Sequence, residues 1–141
     1  MQTLRICLTA LAGVVGAVFA QTAALPKSLS GHWMAMGKDG RTYIDSMSVI
    51  FDDPIEVGPV KGRLTSRGVG CGAMDEPLTG TWDGSELRFE SQVHPNVNAA
   101  RKNGDCGTGR ITFVLTRKPG QAGFAGESHR DTSMAQITLA P

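Results

Sequence analysis

A hairpin is written into Leu78-Thr79-Gly80-Thr81-Trp82-Asp83-Gly84-Ser85-Glu86-Leu87-Arg88-Phe89-Glu90. Leu78, Gly80 and Trp82 share one face of an extended segment, and Leu87 and Phe89 alternate with Glu86, Arg88 and Glu90. Between them, Asp83-Gly84 is a dipeptide that accepts the positive φ angles of a two-residue hairpin turn. The first half has an echo in Leu29-Ser30-Gly31-His32-Trp33 and shorter relatives in Val60-Lys61-Gly62-Arg63-Leu64 and Phe124-Ala125-Gly126-Glu127. One strand grammar thus recurs along the chain, each time with a glycine inside it.

The rest of the sequence repeats the pattern. Leu29 to Met36 reads as a first strand and Tyr43 to Phe51 as a second, with Tyr43, Asp45, Met47, Val49 and Phe51 on its core face. Val60 to Arg67 is the third, the hairpin supplies the fourth and fifth, and Arg110 to Arg117 is the sixth. Phe124 to His129 and Met134 to Leu139 complete the set. No stretch carries a helical period, and proline and the 16 glycines that follow residue 20 punctuate the strands at short intervals. Short alternating strands in sequence order predict an all-β fold, an antiparallel up-and-down eight-stranded barrel, because closure removes the exposed edges of a flat meander. A two-sheet sandwich is the competing arrangement. In a barrel, Gly31, Gly62, Gly80 and Gly126 permit sharp strand coiling.

The first 20 residues read as a secretory leader: a positive start ending at Arg5, an apolar run from Ile6 to Phe19, and Val18-Phe19-Ala20 as a small-residue cleavage site before Gln21. That run is about 14 residues, short of the roughly 20 a spanning helix needs. Residues 21–28 then form a flexible arm, and 29–141 one barrel domain. Removing Arg5 with the leader takes Lys+Arg from 14 to 13, equal to the 13 Asp+Glu. A balanced charge argues against nucleic acid or an anionic membrane as partner. The expectation is an exported, periplasmic or secreted monomer without a membrane anchor. Cys7 leaves with the leader, and Cys71 and Cys106, alone in an oxidising compartment, are expected to pair. Closing that loop of about 35 residues would contribute about 4 kcal/mol in the chain-entropy model.

No residue set spells out a reaction. His32, His94 and His129 stand on separate segments without metal-ligand spacing, and no Gly-x-Ser-x-Gly elbow is present. No cofactor or metal is expected. Binding is the remaining class. Trp33 and Trp82 are either barrel core or, with Tyr43, Phe89 and Phe113, the lining of a calyx for an apolar or ring-containing small molecule. The long 93–109 segment offers His94, Asn96, Asn98, Arg101 and Lys102 as a polar surface for a protein partner.

Leu29-Ser30-Gly31-His32-Trp33 resembles the opening Gly-x-Trp strand of lipocalin-like, or calycin, barrels, which implies a carrier with its ligand inside the barrel. Leu78 to Trp82 resembles the Leu-Thr-Gly-x-Trp strand of avidin-type barrels; the further tryptophans of that family are lacking, so biotin is not implied. A third resemblance is to small periplasmic inhibitors of secreted metalloproteases, through size, leader and the early Leu-Ser-Gly-x-Trp strand. It implies that residues 21–28 would enter a hydrolase active site. The chain departs from that family at Tyr43-Ile44-Asp45, where a cysteine would stand. A protein inhibitor or accessory factor acting through the arm or the 93–109 segment is therefore the alternative to a carrier.

Overall fold

The computed structural model describes residues 24–37, 39–53, 56–68, 73–93, 109–131 and 133–141. The leader, Cys71, Cys106, His94, Asn96, Asn98, Arg101 and Lys102 lie outside the described residues. Eight strands follow one another: β1 (Ser28–Met36), β2 (Thr42–Phe51), β3 (Gly58–Arg67), β4 (Met74–Trp82), β5 (Glu86–Val93), β6 (Gly109–Arg117), β7 (Phe124–Arg130) and β8 (Ser133–Ala140). Each pairs antiparallel with the next, and β1 pairs with β8 from Ser30↔Ala140 to Ala35↔Ala135. That last ladder closes the sheet and rules out the sandwich.

Parity decides what is inside. Val49, Leu64, Leu78, Phe89, Phe113 and Ile137 are buried while their chain neighbours face solvent or are only partly covered, and together they fill one core running along the barrel. The up-and-down order gives the barrel two unlike ends. At the lower end Leu25, Leu29, Phe51, Val60, Trp82, Leu87, Phe124 and Leu139 are all buried. The upper rim is where β1, β3, β5 and β7 finish and β2, β4, β6 and β8 begin. The described part of the N-terminal arm is not free: Leu25 is in the core, and the Lys27 carbonyl accepts a hydrogen bond from the Phe51 N–H at 2.9 Å.

The four glycines of the strand grammar sit at equivalent places. A Cβ on Gly31, Gly62, Gly80 or Gly126 would run into the backbone carbonyl of Thr138, Ile50, Arg88 or Val114 respectively. In every case that carbonyl belongs to the residue just before the glycine's ladder partner on the neighbouring strand, namely Leu139, Phe51, Phe89 and Leu115. The sequence assigned these glycines to coiling, and the close approach of adjacent backbones is its physical form.

Two elements depart from the sequence reading. β4 was expected from Leu78 but starts at Met74 and passes through Pro77. Among the described residues, Met74 to Pro77 are laddered only to β3, since pairing with β5 begins at Leu78↔Ser91. On its β5 side this stretch is an edge, where a residue without an N–H is tolerated. The hairpin turn is shifted by one residue. Asp83 pairs with Glu86 through its N–H (3.2 Å), so the chain reverses at Gly84-Ser85, and only Gly84 has a positive φ, 101°. A turn with its glycine at the first central position is the II′ rather than the I′ pattern.

Asp83 is released from the turn centre because its carboxylate has other work. Oδ1 accepts from the Glu86 N–H (2.6 Å), the Ser85 N–H (2.8 Å) and the Ser85 hydroxyl (3.0 Å). Those three bonds hold its carboxyl below the usual carboxylate range, the Glu86 N–H contributing most. A depressed folded value means the stabilisation is present above the unfolded pKa and is lost as pH falls through the folded one. An Asp83→Asn variant keeps an acceptor but not the charge. Its stability deficit in urea unfolding is expected to be present at neutral pH and to shrink on acidification below about pH 4; a deficit independent of pH would contradict this.

Candidate ligand site beneath the polar rim

The barrel interior changes character with height. Its lower and middle parts are aromatic. Trp82 meets Phe124 edge-on at 5.6 Å between centroids, and the Arg117 guanidinium lies over both rings at 5.5 and 4.8 Å. Above them Phe89 stacks on Phe113 at 4.5 Å and 10°, and Trp33 meets Phe113 edge-on at 5.8 Å. Among the described residues, all four buried polar or charged side chains, Asp45, Ser66, Ser91 and Ser128, face the upper interior. Half-buried Tyr43, Glu76 and Arg130 share their inward parity at the rim.

These polar groups differ in how well they are satisfied. The Ser91 hydroxyl donates to the Pro77 carbonyl at 3.0 Å, bridging β5 to the stretch of β4 that is not laddered to it. Asp45 lies against Gly68, where any Cβ would collide with its carboxylate, so the glycine makes room for the charge. Among the described residues, Trp33 Nε1 and the hydroxyl of Ser66 (2% exposed) are buried with no hydrogen-bond partner. Each such orphan costs about 1–3 kcal/mol relative to a paired group. One is a donor and the other both donor and acceptor.

Of the residues expected to contact a ligand, Trp82, Phe89 and Phe113 are wholly buried and pack against other rings of the core. Trp33 is partly buried at the top of the aromatic stack. Tyr43 stands beside the rim, but its hydroxyl is used by the β1–β2 turn. It donates to Asp39 Oδ2 at 2.5 Å while the Arg41 N–H donates to Oδ1 at 3.0 Å. The shared bond lowers the Asp39 carboxyl below its usual range, with the Arg41 N–H second, and raises the Tyr43 phenol, with desolvation second. His32 is exposed, opposite in parity to Trp33, as expected.

Sequence reasoning placed Asp45 near the mouth but passed over Ser66, Glu76, Ser91, Ser128 and Arg130. A signal for them exists: each stands an even number of residues from an inward apolar or glycine position, namely Leu64, Leu78, Phe89 and Gly126. Extending the parity into the polar residues would have found them.

The outer wall has a shallow depression of about 250 Å³ over β1, β2 and β3, lined by Ser30, Ser46, Ser48, Thr65 and Arg67 among others. Its outward-facing hydroxyls already serve each other and the backbone: Ser30 with Ser48 (3.3 Å), Ser46 to the Arg67 carbonyl (3.0 Å), Thr65 to the Ser48 carbonyl (3.5 Å). Trp33 and Ser66, whose buried Nε1 and hydroxyl lack partners among the described residues, both have inward parity, and Ser66 also lines this depression. No protein-family model, curated protein sequence or solved structure matches this chain.

Proposed function

We propose that the chain is an exported, non-enzymatic binding protein of lipocalin-like architecture that takes a small ring-containing molecule beneath the polar rim of its barrel. The carrying observation is the pair of buried, partnerless groups, Trp33 Nε1 and the Ser66 hydroxyl, on the upper interior wall. A ligand presenting a hydrogen-bond acceptor to the indole N–H and a polar atom to the serine would relieve both, with its apolar part against the Trp33 and Phe113 rings. Among the aromatic candidates, Trp33 and Tyr43 are the contacts, and Trp82, Phe89 and Phe113 form the floor on which they rest. The balanced charge and the leader support export without a nucleic-acid or membrane partner. The strand order also favours a Cys71–Cys106 disulfide, because the connections that carry the two cysteines both leave from the upper rim. The inhibitor reading gains nothing from its arm, whose Leu25 is spent in the core.

Intrinsic fluorescence of single-tryptophan variants separates floor from site. With a panel of ring-containing ligands, Trp82→Phe is expected to retain a saturable change of emission, while Trp33→Phe loses it. Ser66→Ala should weaken binding by about tenfold, near the cost of one unsatisfied group. Saturable binding that survives both Trp33→Phe and Ser66→Ala unchanged, or its absence across the panel in the parent protein, would remove the reading.

A further inference from the structure

Three of the six large hydrophobic side chains exposed on the described surface are methionines: Met34 (40%), Met36 (75%) and Met134 (55%). Met134 is far from the other two in sequence, and the closure of β8 onto β1 brings it near them. Met34 and Met36 are alternate residues of β1, both facing outward. The β1–β8 ladder runs to Ala35↔Ala135, the chain neighbours of Met36 and Met134. Met34 stands opposite Gln136, one outward position further along β8. Met47 and Met74, the other methionines among the described residues, are buried in the core.

The spacing suits convergence of three sulfurs. Residues directly opposite on antiparallel strands have Cβ atoms about 4.5–5.5 Å apart, and diagonal neighbours about 7–8 Å. The methionine sulfur sits two bonds beyond Cβ on a freely rotating chain. The three thioethers can thus meet at one point above the sheet at the upper rim without any movement of the backbone. On β7, opposite Met134, the exposed His129 has its Nε2 3.2 Å from Glu127 Oε2. Among the described residues no group of three or more His, Cys, Asp or Glu could hold a metal ion, so hard or borderline cations have no rival site there.

We propose that Met34, Met36 and Met134 form a site for a soft monovalent metal ion, Cu(I) or its analogue Ag(I), on the outer wall of β1 and β8. Neutral thioether ligands select such ions over zinc, calcium or magnesium. They carry no proton to lose, so the site binds without the steep pH dependence of thiolate or imidazole ligands. Export places it where thioethers can act as ligands without competition from the reduced thiols of a cytoplasm. It is separate from the interior ligand site and does not depend on it.

The test is a titration of the purified protein with silver nitrate in chloride-free buffer, after any free thiol has been alkylated with iodoacetamide. It is read from the methyl signals of methionines labelled with carbon-13 at the methyl group. Expected are concerted shifts of the Met34, Met36 and Met134 methyls, saturating at one Ag(I) per chain, with Met47 and Met74 unmoved and no response to Zn(II). Single Met34→Leu, Met36→Leu and Met134→Leu variants, near-isosteric and exposed, should each keep the parent circular dichroism and bind about tenfold or more weakly. Methyl signals that do not move in the parent protein overturn the proposal. So does undiminished Ag(I) binding by the triple leucine variant.

Discussion

Replacing Gly126 by alanine is expected to cost about 3 kcal/mol or more, at or beyond the top of the usual range for overpacking. The added Cβ would fall on the Val114 carbonyl of the adjacent strand. A clash with the flexible end of a side chain relaxes cheaply, but this oxygen belongs to a ladder that cannot retreat without breaking the β6–β7 pairing. Gly31→Ala should behave alike, because its Cβ would meet the Thr138 carbonyl on the β1–β8 ladder that closes the barrel. The two sites lie on different ladders, so their costs should roughly add and the double variant should not fold. Urea unfolding followed by tryptophan fluorescence gives the values, with the outward Thr81→Ala as a reference expected to stay within about 0.5 kcal/mol of the parent. A Gly126→Ala midpoint indistinguishable from that reference would show that backbone approach is not what these glycines provide.

The second large effect is expected at the lower end. Trp82→Ala should lose about 3–5 kcal/mol, the range for emptying a fully buried aromatic site. Trp82 is 1% exposed, edge-on to Phe124, and roofed by the Arg117 guanidinium. Arg117 also covers Phe124 at 4.8 Å, so one cation binds two rings that come from different strands. Arg117→Met keeps most of the covering stem but removes the charge. It should cost about 1–2 kcal/mol, at the stronger end for a partly desolvated cation–π contact. A double-mutant cycle between Trp82→Phe and Arg117→Met is expected to show coupling of roughly 0.5–2 kcal/mol. Strict additivity would mean that Arg117 acts only by packing. Under the proposed function this cluster is floor and not site, so none of these variants should alter the ligand response assigned to Trp33.

Much of this was legible in the residues alone. The alternation of Leu87 and Phe89 with charged neighbours, and of Met47, Val49 and Phe51 with polar ones, assigned faces correctly because side-chain direction in a strand has period two. The four interior glycines were legible for the same reason, since each occupies an inward position where a core residue would otherwise stand. The site was legible only in part. Asp45 drew notice as a charge on a core face, whereas Ser66 and Ser128 looked like ordinary strand serines until parity and burial were combined. The turn moved by one residue because the Asp83 carboxylate was taken up by the Ser85 and Glu86 N–H groups, a competition between two local hydrogen-bonding schemes that composition does not decide.

By itself, then, the sequence determined that the chain makes short strands in order, which side of the best-patterned ones faces inward, and where glycines let the strands coil sharply. These are properties of residues within a few positions of one another. Only the tertiary structure decided that β8 returns to β1, that Leu25 is buried with the lower-end core, and that the aromatic rings pack inside the barrel. It also brought Met134 beside Met34 and Met36. A strand's alternation states which face is apolar but not which strand lies alongside. That choice is made by closure, which joins the two ends of the meander and is stabilised by the whole core at once.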